Sequence, residues 1–234
     1  NLRLNTFQNN SKNIKIAHNL AVSINQLNIS QFEKLSTTTN EIRLNAILEL
    51  ISNNNNDLII FSENDYPYLI KNNEFANLIQ TLLQENQTVI IGGIRSENSK
   101  YFNSLYSINK NKIDVFDKKI LVPFGEFLPF RKYLKFLYPI TGEIDFSIGN
   151  KKRIIQLNKY INFIPIICYE IIFFNNLINN YNRSSPLLIN LTNDAWFGKF
   201  SGPYQHFYLS LIRSTEFNKF LIRVSNNGIT AIIN

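Results

Sequence analysis

Methionine does not occur in these 234 residues, cysteine occurs once, and histidine occurs twice, at His18 and His206. A single cysteine, Cys168, excludes an intramolecular disulfide and a cysteine-based zinc cluster, so the thiol is either packed in a core or reactive. Two isolated histidines do not suggest a metal site, and no metal or other cofactor is expected. No run approaches the ~18–20 apolar residues that cross a bilayer, and no signal peptide is expected within these residues. With no methionine and Asn1 at its start, the chain is expected to be a piece of a longer protein, any membrane segments lying outside it. A linker rich in proline, glycine and serine is also missing, as is any internal repeat, which favours one domain.

What is present is basic and apolar. Lysine and arginine number 24 against 17 acidic residues, for a net charge of +7 and a pI near 9.4. Such a surface could meet nucleic acid or anionic lipid. The cations are scattered, however, and no dense basic helix or nucleic-acid motif appears, so no nucleic-acid partner is expected. A hydrophobic share of 44% is enough for a substantial core.

Hydrophobic period supplies the elements. Apolar residues at helical spacing predict helices over 37–51, 73–86 and 204–218. Strands are expected at 19–26, 57–63, 88–94, 162–167, 186–192, 220–225 and 229–233, with two more in 101–119 around a polar Asn109–Lys112 turn. The tracts 52–57 and 175–185 read as polar loops. Several strands are apolar throughout, as in sheets covered on both faces, and the pattern predicts an α/β domain of layered sheets.

Three predicted strands end on groups with chemistry: "DLIIFS" on Glu63, "KIDVFD" on Lys118 and "NFIPII" on Cys168. Sites in α/β folds gather where strands give way to loops. Each residue also has a plainer account, as a solvated acid, a surface lysine and a core thiol. Together they can do more. A thiol of pKa ~8.5 needs a base or a nearby cation to become a nucleophile, and Glu63 could take its proton. Lys118 could face the oxyanion of a tetrahedral intermediate, which amounts to acyl transfer through a thioester. Alternation sends Lys118 and Lys119 to opposite faces, so only one of them can enter such a site.

"DKKILVPFGEFLPF" (117–130), "CYEIIF" (168–173), "NLTNDAWFGKFSGPYQH" (190–206) and "VSNNGITAII" (224–233) resemble the signature blocks of the nitrilase, or carbon–nitrogen hydrolase, superfamily. More narrowly, they resemble its apolipoprotein N-acyltransferase branch. The resemblance runs from about Leu20 to the chain end, departing at Ser62 and Phe174, where proline is usual. It implies a four-layer α-β-β-α sandwich, incomplete at the C-terminal end, over 19–234, with 1–18 as a linker after membrane segments. It also implies a triad: Glu63 as general base, Lys118 as oxyanion stabiliser (eight residues before Glu126) and Cys168 as nucleophile. Glu126 would orient Lys118 and the substrate amine, Tyr169 and Glu170 would flank and brace the nucleophile, and Trp196 would lie on a loop covering the pocket. The plainer account of Trp196 and Phe197 is core packing.

The activity so implied is transfer of a fatty acyl chain from a phospholipid, through the cysteine, to the N-terminal amine of a diacylglyceryl-cysteine lipoprotein. The implied location is the bacterial inner membrane, with the domain facing the periplasm. The stretch "FLPFRKYLKFLYPI" (127–140) mixes apolar side chains with Arg131, Lys132 and Lys135, as suits an acyl–headgroup boundary, or a core helix with a solvated edge. The competing functions are a soluble amidase with the same triad and an inactive or merely lipid-binding fragment.

Overall fold

Isoleucine, leucine and valine fill the central strands Leu58–Ile60, Asn162–Ile167, Leu187–Thr192 and Phe220–Ser225, which are covered on both faces. The structure is a computed structural model that describes residues 2–4, 20–30, 33–34, 36–129, 145–198 and 200–233. Its elements begin with β1 (Leu2–Leu4), β2 (Leu20–Ile24), α1 (Asn40–Ser52), β3 (Leu58–Ile60) and α2 (Glu74–Leu82). The strands β4 (Thr88–Glu97), β5 (Lys100–Asn109), β6 (Ile113–Asp117), β7 (Ile155–Gln156) and β8 (Asn162–Ile167) follow. The chain then runs through α3 (Phe174–Leu177), β9 (Leu187–Thr192), α4 (Gly202–Phe217), β10 (Phe220–Ser225) and β11 (Ala231–Ile233).

Among the described residues one sheet has the order β1-β2-β3-β4-β5-β6 and the other β11-β10-β9-β8-β7. β2, β3 and β4 are parallel, as are β8, β9 and β10, while the outer strands pair antiparallel. A core between the sheets joins Ile60, Ile90, Leu105 and Phe116 to Phe163, Ile189, Leu191 and Val224. On the far side of the first sheet, Ile47 and Ile51 of α1 and Phe75 and Ile79 of α2 pack on Ile59, Phe61 and Val89. On the far side of the second, Leu177 and Phe217 pack with Ile164, Ile166, Leu188 and Leu221. Three apolar seams make the four-layer α-β-β-α sandwich expected from the sequence.

Alternation sorts the side chains that matter. In the first sheet Asn103 and Leu105 point inward, and after inward Phe116 the next inward position is Lys118. In β8, Phe163 and Ile167 point inward while Ile164 and Ile166 face the helices. Strict alternation would send Cys168 outward with them. Its backbone is left-handed instead (φ 52), and this turn returns Cys168 to the layer between the sheets.

Some elements left no legible trace in the sequence. Leu2–Leu4 lie antiparallel to Leu20–Val22 as an edge strand, and the rest of the segment expected to be a linker, 5–18, lies outside the described residues. β7 is two residues long. The strand expected at 88–94 continues to Glu97 and turns through Asn98 and Ser99, both at positive φ, into β5. The tract 175–185 is not wholly loop, since α3 occupies its start. Of 127–140, only Phe127, Leu128 and Pro129 are described, with Leu128 buried and its N–H donating to Asp145 at 2.8 Å.

Candidate active site

Glu63 follows β3 on a turn with several ties. The Ser62 N–H and Oγ–H both donate to Asp65 Oδ2, at 2.7 and 2.8 Å, where a proline could offer neither. Lys34 Nζ donates to the Glu63 carbonyl at 2.7 Å and to Asp65 Oδ1 at 2.9 Å. Gly92 of β4 lies against this turn so closely that a Cβ there would stand 2.8 Å from Glu63 Cα and 2.6 Å from Asn64 N. Only glycine permits that approach.

Lys118 and Glu126 close the group. The Lys118 N–H continues the ladder to the Asn103 carbonyl at 2.8 Å, and its side chain is 1% exposed. Lys118 Nζ lies 2.9 Å from Glu126 and 3.8 Å from Glu63 Oε1. Asn103 Nδ2 donates to both carboxylates, at 2.8 and 2.9 Å. Glu126 sits on the turn after Lys118, where its Oε2 accepts from Val122 N–H at 2.9 Å. Lys119 points away, its Nζ donating to the Lys151 carbonyl at 3.1 Å. Two buried oxygens here, Glu63 Oε2 and Asn103 Oδ1, have no hydrogen bond of ordinary geometry within the protein.

The thiol completes the arrangement from the opposite sheet. Burial pushes the Cys168 thiol up to about 12, Glu63 adds to the rise, and Lys118 opposes it. Burial also raises the Glu63 carboxyl, with Lys118 pulling the other way; the Cys168 thiol is near enough to act on this carboxylate. Burial would lower Lys118, but Glu63, Cys168 and Glu126 outweigh it and hold the ammonium firmly charged. The resting site is thus a neutral thiol beside a carboxylate of enhanced basicity and a fixed cation. It can move one proton from sulfur to oxygen and offer positive charge to an oxyanion.

Cys168 opens a 3-10 turn, Cys168–Ile172, whose Glu170 is fully buried. Arg153 grips Glu170 in a two-pronged pair at 2.7 and 2.8 Å. The same carboxylate accepts the N–H groups of Ile167, Lys119 and Ile120, tying the end of β8 to the loop after Lys118. A second buried group lies behind Cys168. Its carbonyl accepts from Asn190 Nδ2 at 3.2 Å and lies 3.3 Å from His206 Nε2. His206 Nδ1 is 2.9 Å from Asp194, whose other oxygen takes Arg223 at 2.7 Å. Tyr169 stands over the His206 ring at 5.6 Å. Trp196, on the 3-10 turn Asp194–Phe197, is 65% exposed, which removes the core-packing account; Phe197 is half-buried with its ring 6.0 Å from that of His206.

The structure therefore brings Glu63, Lys118, Glu126 and Cys168 together, sets Glu170 and Tyr169 beside them, and leaves Trp196 at the surface. Sequence reasoning missed Asn103, Arg153, Thr192, Asp194 and Arg223, and it assigned His206 no role. The signal for Asn103 was faint: a polar residue at an inward position of an otherwise apolar strand.

The sequence profile of carbon–nitrogen hydrolases matches residues 21–234. The chain belongs to the carbon–nitrogen hydrolase family. Among curated relatives, this carbon–nitrogen hydrolase domain is 39% identical to the apolipoprotein N-acyltransferase of Rickettsia typhi, over 76% of the chain and 37% of that protein. It is 36% identical to that of Rickettsia bellii, over 99% of the chain and 47% of that protein. The chain thus spans less than half the length of these relatives. Among solved structures, it is similar to a CN-hydrolase superfamily protein of Xanthomonas campestris with an arsenic adduct in the active site. That match has a TM-score of 0.67 at 17% identity, over 93% of this chain and 83% of that one. A nitrilase-superfamily protein of Saccharomyces cerevisiae matches with a TM-score of 0.61 at 17% identity, over 88% and 75% of the two chains.

Proposed function

We propose that this chain is the acyl-transferring domain of an apolipoprotein N-acyltransferase. The observation that carries the reading is the meeting of a lone, partly buried thiol with Glu63 and Lys118 between two sheets. The identity of 36–39% to the Rickettsia enzymes supports this chemistry over other reactions of the family. In this reading the full-length protein lies in the bacterial inner membrane with this domain facing the periplasm. Among the described residues no helix is long and apolar enough to cross a membrane.

The steps follow from the groups. Glu63 takes the Sγ proton as Cys168 attacks the ester carbonyl of a phospholipid, and Lys118 faces the oxyanion that forms. Collapse breaks the acyl C–O bond; the proton on Glu63 passes to the departing glycerol oxygen, leaving a thioester. The α-amine of a diacylglyceryl-cysteine then attacks the thioester carbonyl and Glu63 accepts the amine proton. The C–S bond breaks and that proton returns to sulfur. In this reading Glu126 keeps Lys118 in position and orients the amine, and the exposed Trp196 covers the approach to the thiol. The enhanced basicity of Glu63 brings it toward the operating pH, which suits a group that is base and acid in turn.

Intact-mass spectrometry of the full-length protein incubated with phospholipid tests this. A fatty-acyl adduct that hydroxylamine removes and Cys168→Ala abolishes is expected. Lack of the adduct in wild type, or acid release from a small amide in its place, would refute it.

A further inference from the structure

One hydroxyl in the site has two acceptors and a single proton. Thr192 Oγ1 lies 3.4 Å from Cys168 Sγ and 3.3 Å from Asp194 Oδ1, and its residue is fully buried at the end of β9. A hydroxyl can donate to one of these at a time. Asp194 is a strong competitor, because His206, Arg223 and Ser225 Oγ hold it in place. Burial alone would raise its carboxyl, yet the His206 and Arg223 contacts prevail and keep it below the usual carboxylate range, hence an anion. A neutral thiol or a thioester is a weak acceptor, so in those states the proton belongs to Asp194. A thiolate is a charged acceptor, and in that state the sulfur can compete.

We propose that Thr192 is a fourth catalytic group, whose hydroxyl swings from Asp194 to Cys168 Sγ whenever sulfur carries negative charge. Thr192 keeps its proton throughout; only the direction of the O–H bond changes. The backbone N–H of Asn193 faces the same sulfur, so the end of β9 presents two donors to the thiolate. Lys118 serves the oxyanion and Thr192 the sulfur, which divides the two centres of negative charge between the two sheets. The acyl-enzyme step and the amine step both pass through anionic sulfur, so the device acts twice per turnover. This inference rests on Cys168 being the nucleophile.

The charged and titratable groups around the sulfur are Glu63 and Lys118 in front, with Glu126 beyond, and Asp194, His206 and Arg223 behind Thr192; Glu170 and Arg153 lie beneath the turn. Changing Thr192 alters no charge. The test is the pH profile of Cys168 alkylation by iodoacetamide in the full-length protein, read by peptide mass spectrometry. Thr192→Val should slow alkylation roughly tenfold to a hundredfold at neutral pH and move the profile to higher pH, since a hydrogen bond to a charged group is lost. Thr192→Ser, which keeps the hydroxyl, should keep the wild-type profile. Thr192→Ala replaces valine if the second methyl prevents folding, judged by thermal unfolding. An unmoved profile in a folded Thr192→Val or Thr192→Ala, or a serine variant as slow as either, overturns the proposal. Alkylation needs no phospholipid, so it separates the two readings. A missing acyl adduct refutes the acyltransferase alone, and an unmoved profile in an enzyme that does form the adduct refutes the role of Thr192 alone.

Discussion

Replacing Lys118 by methionine removes one charge and little volume from the centre of the site. The ammonium lies 2.9 Å from Glu126 and 3.8 Å from Glu63, and both are shielded from water. Two unit charges at such a distance interact by about 4 kcal/mol at an effective dielectric constant of about 20. Without the cation the carboxyls face each other through Asn103 alone. Glu63, already raised by burial, responds by holding its proton to higher pH, which limits the loss of stability to the ~3–5 kcal/mol seen when a buried pair loses one partner. Function has no such escape, because a protonated Glu63 cannot accept the thiol proton. Loss of the oxyanion partner removes a further factor of roughly 10²–10³. We expect Lys118→Met to abolish measurable acyl-adduct formation near neutrality, with residual activity rising as pH rises, because Lys118 holds Glu63 down. Single-turnover acylation of Cys168, measured from pH 6 to pH 9 (about the range where the fold should persist), reads both effects. Lys119→Met, whose ammonium reaches the Lys151 carbonyl at the exposed surface, should acylate as wild type. Adduct formation within about tenfold of wild type in Lys118→Met would refute the electrostatic reasoning.

Glu63→Gln should inactivate and stabilise at once. A carboxyl whose folded pKa is raised costs stability as pH climbs through that value, so the variant should melt higher than wild type at neutral pH and equal to it in acid. A lower melting temperature at pH 7 would contradict this. Asp194 and Glu170 work in the opposite sense: burial opposes their ionisation, but His206 with Arg223 and Arg153 respectively hold both below the usual range. Their stabilisation is complete above about pH 4 and is lost as pH falls through the depressed values. Asp194→Asn should therefore lower the melting temperature at pH 7 and flatten its decline in acid; an unchanged slope would count against it. Arg153→Met leaves Glu170 buried without its partner and should cost ~3–5 kcal/mol in denaturant unfolding, while adding Glu170→Gln should recover part of that. No recovery in the double variant would mean that Arg153 matters through its bond to the Pro165 carbonyl instead.

The layered fold was legible because isoleucine-rich strands advertise burial on both faces and the amphipathic period marks the helices. The positions of Glu63, Lys118 and Cys168 at strand ends could be read for the same reason. The inward turn of Cys168 could not. Strand alternation points it at the helices, and the groups that meet the carbonyl of its left-handed turn, Asn190 and His206, are 22 and 38 residues distant in sequence. Arg153, Asp194 and Arg223 were hidden by a related limit. A buried charge looks like a surface charge until its partner is found, and the partners come from separate strands and turns. For Trp196 the sequence left two accounts open, and its short turn, which leaves it in solvent, removes core packing.

The division of the site between two sheets has a consequence for how the chain acquires its reactivity. Glu63, Asn103, Lys118 and Glu126 all precede residue 130, whereas Cys168, Thr192, Asp194, His206 and Arg223 come from the second sheet and its turns. A chain emerging in order makes the base and the cation first, then the thiol, and last the strand carrying Arg223 that anchors Asp194. Until the sheets close on each other the sulfur has neither Glu63 nor Lys118 beside it. Docking of the two sheets is thus the step that arms the thiol.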